Sequence, residues 1–467
     1  MNTENSSQPI IPHQRRSRSI VIPGAILALA AGFILLFAAS GVEYIRMVQD
    51  PWRTALVATE GPAPWEDVIP ALIRPLPPEN EPPMPAWLRL MAEEAEKELG
   101  EEGLPLPFAP RERIVLVDSD AIPWDHILAE GRAPEPGARE YVSGTFTRFD
   151  SFELDGETFE STGVIRSDVG GLNYGFLLPA TDPLREQFGD AGEMTEGWIA
   201  PGGLLRLEEM DDLAAFLEDV VPLMERTQTS AGVFTLTWLG LVAMAVGGSV
   251  LQIRLFMWLA NKPVGPLRPF LRTLGRYPRL LVAMHVAHYG AFFVLMLVAA
   301  AFPAVNFAIT QTIDAAFAEG DLAYIGDAYA SGNVMTAAGV TFWHNYAVAT
   351  LGFSFAPSLI IPGIGILKNL ASFSIVGLGM APMWQGLAGL YTFHSITMIL
   401  ELEAYILASF AIALFFVYMF RAIKAERLFF GYAAWAKMLG SAALFVGLQL
   451  LIAAFYEALT LIHLGGA

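Results

Sequence analysis

Uncharged, apolar tracts longer than a bilayer core is thick decide what this chain can fold into. Ser19 to Val42 runs 24 residues and Thr227 to Ile253 runs 27 without a charged side chain, and similar tracts recur towards the C-terminus. About 20 such residues span the hydrocarbon as a helix. The chain is 54% hydrophobic and only 16% charged, outside the range of an ordinary soluble domain. These features predict a polytopic α-helical membrane protein.

The loops set an expected topology. Arg15, Arg16 and Arg18 precede the first tract, so its start is expected in the cytoplasm. We read residues 1–18 as a cytoplasmic tail and 19–45 as an uncleaved anchor. Cleavage as a signal peptide near Ala38, Ala39 and Ser40 is the alternative. After Ile253 come Arg254, Lys262, Arg268, Arg272, Arg276 and Arg279 with no acid among them, a cytoplasmic signature. A tract from Leu280 to Ile313 returns outward to Asp314, Glu319, Asp321 and Asp327. Tracts near Val334–Ala356, Leu359–Ala381 and Gln385–Phe420 follow, then Arg421, Lys424, Arg427 and Lys437, then a last tract near Leu439–His463. The pattern predicts about seven transmembrane helices in a bacterial inner (cytoplasmic) membrane, with the N-terminus cytoplasmic and the C-terminus outside.

Residues 46–228 are then extracytoplasmic, and 229–467 form the membrane domain. The exported block holds 37 acidic and 14 basic residues, a net −23 against −19 for the whole chain, so the remainder is +4. Such a surface repels nucleic acid. With no cysteine, the block has neither disulfides nor thiolate metal ligands and must rely on its own core. Proline-rich sequence such as "RPLPPENEPPMP" (74–85) and the acidic "EEAEKELGEEG" (93–103) predict a linker and one charged helix across 46–110. "RIVLVDSD" (113–120) and "LNYGFLLPA" (172–180) suggest strands, and Asp155-Gly156 between alternating runs signals a hairpin. Residues 206–226 carry helical spacing. An α+β domain between helices 1 and 2 is expected. Asp118, Asp120 and Asp125 with His126 match no calcium loop, and no phosphate loop or GxSxG elbow occurs.

Inside the membrane domain, "HSITMILELEAY" (394–405) sets one imidazole and two carboxylates among apolar neighbours. Charges at such depth are costly and mark sites by default. His394 and Glu401 are seven apart and share a helix face, while Glu403 faces elsewhere. Lys368 lies about ten residues into its tract, too deep for an easy snorkel, so Glu401 or Glu403 is its expected partner. Glu401 is expected to be buried, paired to Lys368 or hydrogen-bonded to Asn345 or Asn369. His344, Asn345 and Asn369 add polar groups, and His285 and His288 share a face. Pro357, Pro362, Gly363, Gly365, Gly377, Gly379 and Pro382 break the tracts, as happens where helices pack closely or line a cavity. The polar set is Lys368, Glu401, Glu403, His394, Asn345, Asn369 and His344. No linked zinc pattern joins these groups, so no metal, cofactor or catalytic residue is assigned.

The segment from Thr341 to Met419 resembles the stage II sporulation protein M family. Asn345, Gly352, Gly365, Asn369 and Gly377 follow the family order, and "ILELEAYILA" (399–408) resembles its Glu-Leu-Pro-Ala stretch, with Glu401, Leu402 and Ala404 matching by position. Glu403 stands in place of the proline, and Thr397 occupies the place of the family histidine, with His394 one turn earlier. The resemblance implies an envelope membrane component that scaffolds cell-wall hydrolases. Two functions follow as expectations. One is a scaffold or assembly subunit docking envelope proteins on its acidic domain. The other is a transporter or channel-like subunit built on Lys368 and Glu401, with any ATPase supplied by a separate chain. An oligomer is compatible with either.

Overall fold

A computed structural model of the chain describes residues 14–463, apart from 60, 76–112, 146–149, 155, 174, 182, 185–194, 208–209, 211–215, 217–226, 319 and 321. Two bodies emerge, a helical bundle and a mixed sheet.

The bundle begins with α1 (Gln14–Gln49) and resumes after the sheet with α2 (Ala231–Leu259), the short α3 (Arg268–Arg276) and α4 (Pro278–Ala301). Next come α5 (Pro303–Ala318), α6 (Ala323–Ala330) and α7 (Val334–Phe342). A π-helix, Trp343–Phe355, carries α7 without a break into α8 (Ala356–Ile360). The chain then turns into α9 (Ile364–Gly379), α10 (Leu387–Lys424) and α11 (Leu428–His463). Five of these, α1, α2, α4, α10 and α11, are long and apolar enough to cross a membrane. α9 is equally apolar but only 16 residues long.

The helices depart from the expected tracts in two places. The tract Leu280–Ile313 is two helices, because Pro303 has no N–H to continue α4 and Phe302 leaves helical geometry at φ −130°, ψ 74°. The last helix starts at Leu428 rather than Leu439, so Lys437 lies inside α11 and the basic loop shrinks to a tight turn.

Nine strands form the mixed sheet: β1 (Leu56–Ala58), β2 (Ile69–Pro75), β3 (Arg113–Val117), β4 (Leu128–Gly131), β5 (Glu140–Ser143), β6 (Ser151–Leu154), β7 (Glu157–Ile165), β8 (Gly175–Pro179) and β9 (Thr195–Ala200). Their order is β1-β9-β2-β3-β8-β5-β7-β4, with β6 beside β7; β3/β8 and β5/β7 are parallel and the other pairings antiparallel. Strands appear at Arg113–Val117 and Gly175–Pro179, and β6 pairs antiparallel with β7, as the sequence pattern leads one to expect. β3 shows why its run is so continuously apolar. Val115 and Val117 face a core with Trp52, Trp124 and Ile127, while Ile114 and Leu116 face another with Tyr141, Phe159 and Phe176. Alternate residues of a strand point to opposite faces, and here both are covered.

The linker expectation for 46–110 fails at its start. Ile69–Pro75 is a strand paired with β9 and β3 on its two edges, and its prolines fall at positions 70 and 75, near the ends. The acidic 93–103 stretch lies outside the described residues, as does nearly all of the expected helix 206–226; Gly203–Leu207 forms one short helical turn. Asp118, Asp120 and Asp125 form no cluster with His126. Asp118 caps its own turn through the Asp120 N–H at 3.1 Å, and His126 instead contacts Asp50 at 3.0 Å.

The two bodies meet at one end of the bundle. Glu43, buried near the end of α1, accepts hydrogen bonds from the Thr229 hydroxyl at 2.7 Å and the Gly386 N–H at 3.1 Å. Just beyond, Asp50 accepts from Arg166 Nη2 at 2.5 Å. Arg53 and Arg166 share Asp168, Arg166 through Nε at 2.9 Å. Burial pushes the Asp50 carboxyl up, but hydrogen bonds from Arg166 and His126 outweigh it and hold the group below its usual range. Glu43 thus gathers α1 with the segments leading into α2 and α10, while Asp50 and Arg53 join the end of α1 to the sheet body.

Candidate functional site

Why does α10 tolerate two carboxylates two residues apart? Glu401 and Glu403 project from different faces of one helix and enter different surroundings.

Glu403 is fully buried against α2 and α4. Its carboxyl lies 2.8 and 3.0 Å from His285 Nε2 and accepts the Ser249 hydroxyl at 2.9 Å. His285 Nδ1 is 2.8 Å from the Leu281 carbonyl, which can only accept, so Nδ1 carries a proton. The Glu403–His285 contact therefore holds one further proton, on the imidazole or on the carboxyl. One turn along α4, His288 Nδ1 is 2.9 Å from the Met284 carbonyl, and its Nε2 meets the Ser409 hydroxyl at 3.0 Å. Ser409 also accepts from Asn369 Nδ2 at 3.0 Å, and Asn369 Oδ1 accepts the Ser354 hydroxyl at 2.8 Å. His285 and His288 thus share the α4 face, as their spacing predicts, yet serve two separate hydrogen-bonded groups.

Glu401 turns the other way, into a cavity of about 460 Å³ walled by the π-helix, α9, α10 and α11. His344, Asn345, Lys368, Asn369 and His394 line it too, so every residue of the expected polar set except Glu403 reaches one space. Asn345 Nδ2 donates to Glu401 Oε1 at 2.9 Å. Lys368 does not form the expected ion pair with either carboxylate. Its Nζ donates to the Ala349 carbonyl at 3.4 Å and sits 5.4 Å from the centre of the Tyr405 ring. Glu403 is out of the question for it, being committed to His285 across the helix. His394 lies nearer the sheet end of α10 than Glu401, and its Nδ1 is buried without a hydrogen-bond partner in the structure.

The π-helix makes this lining possible. An α-helix turns about 100° per residue, so His344 and Phe353, nine apart, would face nearly opposite ways. The wider turn closed by i→i+5 bonds brings them to roughly the same face. Both line the cavity. Side chains follow the same register: Thr350 donates to the Asn345 carbonyl at 2.7 Å, and the Ser354 hydroxyl lies 3.0 Å from the Ala349 carbonyl, each five residues back. Extended π-helix is rare and often marks functional sites.

Glycines fix the walls. At Gly365 a Cβ would stand 2.3 Å from the Ser354 carbonyl oxygen, so α9 and the π-helix touch there. Gly377 lets α9 meet α4, where a Cβ would lie 2.4 Å from the Phe292 carbonyl oxygen. Over the sheet-side rim, Asn306 of α5 donates to the Leu378 and Gly379 carbonyls at 2.5 and 3.0 Å, while Tyr324 of α6 contacts His344 Nδ1 at 2.7 Å.

Sequence reasoning missed two carboxylates. Glu457 of α11 lines the same cavity as Glu401, and Glu43 joins the end of α1 to the segments leading into α2 and α10. Each interrupts an apolar helix, which is the same signal that drew attention to Glu401.

No family model matches the chain, and neither a curated protein nor a solved structure is similar to it.

Proposed function

We propose that this protein is a membrane-embedded binding or transport subunit for a small charged solute, with the cavity around Glu401 as its site. The observation that carries this reading is convergence. Lys368, Glu401 and Glu457 come from three different helices to one cavity. Ionisable groups at membrane depth are expensive and mark solute or proton pathways. The volume of about 460 Å³ suits a small molecule. One ammonium facing two carboxylates suits a solute carrying both signs, such as an amino acid, or a cation.

In this reading the bundle crosses a bacterial inner membrane seven times. α7, the π-helix and α8 make the fourth pass, and α9 the short fifth. The N-terminus and the basic α3 and α10–α11 turns lie in the cytoplasm, and the sheet and C-terminus lie outside. The chain carries no nucleotide-binding motif, so ATP-driven movement needs a separate ATPase.

The test is uptake of radiolabelled zwitterionic amino acids, and of protons by an internal pH dye, in vesicles containing the full chain. Glu401→Gln and Lys368→Gln are expected to remove the signal. Wild-type vesicles that move and bind none of these would overturn the reading.

A second reading is a scaffold docking envelope proteins, cell-wall hydrolases among them. The ion pair of Arg166 with Asp50, just beyond α1, favours it, because it ties the acidic domain to the end of the bundle. The resemblance to the stage II sporulation protein M family points the same way. Partners that copurify with the full chain and are lost on deleting 50–225 would support docking, and partners unchanged by the deletion would exclude it.

A further inference from the structure

At the end of the bundle away from the sheet, three arginines from three elements face one hollow. Arg276 closes α3, Arg421 lies in the last turn of α10, and Arg427 sits in the turn before α11. With Tyr277 and Tyr418 they line a cavity of about 290 Å³. Arg421 Nη1 donates to the Tyr277 hydroxyl at 2.6 Å, and the guanidiniums of Arg276 and Arg421 lie 5.7 and 5.3 Å from the Tyr277 ring centre. The aromatic ring thus orients two of the three cations. No carboxylate lines the cavity, and among the described residues none of the three arginines forms an ion pair. Glu426, the acid of the same turn, is exposed and lies outside the lining.

Like charges gathered in a hollow repel unless an anion joins them. Planar guanidinium donors fit phosphate oxygens in pairs. The surroundings favour one source of phosphate. Phe420, Ile423, Leu428, Phe429 and Phe430 are all exposed beside the cavity. Five large apolar side chains at a helix end belong in the interfacial zone of a bilayer rather than in water. α3 fits the same level, burying Phe270, Leu271 and Leu274 while exposing Arg268, Arg272 and Arg276.

We propose that this cavity binds the phosphate of an anionic lipid headgroup, with the acyl chains lying along the apolar rim. Basic pockets between helices at a membrane surface recognise headgroups in this way. The site is separate from the Glu401 cavity and does not depend on solute movement.

The test places the full chain in phosphatidylcholine vesicles containing a minor fraction of phosphatidylglycerol. The phosphatidylglycerol retained per protein after extraction is then read by native mass spectrometry. The triple variant R276Q/R421Q/R427Q is expected to lose retention by about tenfold or more. R268Q/R272Q/R279Q, equal in charge lost but outside the cavity, is expected to lose less than about twofold. Equal losses in the two triples, or no loss in the first, would overturn the proposal. A parallel arm adds inorganic phosphate at millimolar concentration; unchanged retention supports the lipid, and full displacement would assign the site to free phosphate instead. Should the first triple fail to fold, R427Q in the exposed turn decides, partial loss supporting the site and full retention refuting it.

Discussion

Glu401 and Glu403 stand two residues apart on α10, yet one faces a cavity and the other a closed polar cluster. Glu403 has an imidazole and a hydroxyl within 3.0 Å and no exposed surface. Glu401 has an amide donor at 2.9 Å and a hydrogen bond with the Tyr405 hydroxyl, beside a lysine that donates elsewhere and a second carboxylate lining the same cavity. A saturated cluster contributes to how helices register, because each member has somewhere to go only in one arrangement. Glu401, though hydrogen-bonded, borders a cavity with room for something that is not protein. The difference teaches that intramembrane charge alone does not mark a site; charge that borders a cavity does.

The largest expected effect breaks the closed side. Glu403→Ala strands His285 and Ser249, and we expect a loss of about 3–5 kcal/mol, the usual size for removing one partner of a buried pair. Unfolding in detergent measures it, and His285→Ala should then add little in the double variant. If the two losses sum, the pair is not a unit and the contrast with Glu401 weakens.

Next, Gly377→Ala tests the wall shared by both regions. Its Cβ would clash with the Phe292 backbone, which cannot swing aside, so about 1–3 kcal/mol should be lost. Because Gly377 joins α9 to α4, this variant should disturb the His288–Ser409–Asn369 chain. A shift in the Ser409 environment, seen by NMR of the labelled protein, is the readout.

Glu401→Gln should cost far less, about 0.5–1.5 kcal/mol, since an amide keeps one acceptor for Asn345. A cost of 3 kcal/mol or more would mean that Glu401 belongs to the closed class. The residues alone left Glu401 a choice between Lys368 and an asparagine as partner, and the structure gives it Asn345.

How much could be read from the residues follows one rule. Features encoded by local pattern were visible: the apolar tracts, the β3 run, the hairpin at Asp155-Gly156, and the opposite facing of Glu401 and Glu403. Features set by geometry between helices were not. Nothing in "WHNYAVATLGFSF" announces a π-helix, so the gathering of His344, Asn345 and Phe353 on one wall could not be derived at α-helical spacing. The partner of Glu403 was hidden for the same reason, since His285 lies 118 residues away in sequence. Glu457 and Glu43 were visible as isolated acids in apolar helices, but their partners were not.

The smallest expected effect lies outside both regions and serves as a yardstick. Asp50 has its folded pKa below the unfolded value, so its contribution is present above about pH 4 and is lost as pH falls towards the folded value. Acid should loosen the junction between α1 and the sheet, while Arg166→Met, which removes the main cation on Asp50, should flatten that dependence. Thermal unfolding between pH 5 and 2 of both proteins checks it, and the Glu403 cluster should be unaffected by the substitution.

The distinction between the two regions rests on water access, and the chain is well suited to testing it because it contains no native cysteine. Single substitutions Ser372→Cys, on the cavity wall, and Ser249→Cys, inside the closed Glu403 cluster, can be exposed in intact vesicles to a charged, water-soluble methanethiosulfonate. An open cavity beside a closed cluster predicts rapid modification at 372, slowed when a bound solute fills the space, and none at 249 unless the protein is unfolded. Equal reaction at both positions, or protection of 372 in the native protein, would contradict it.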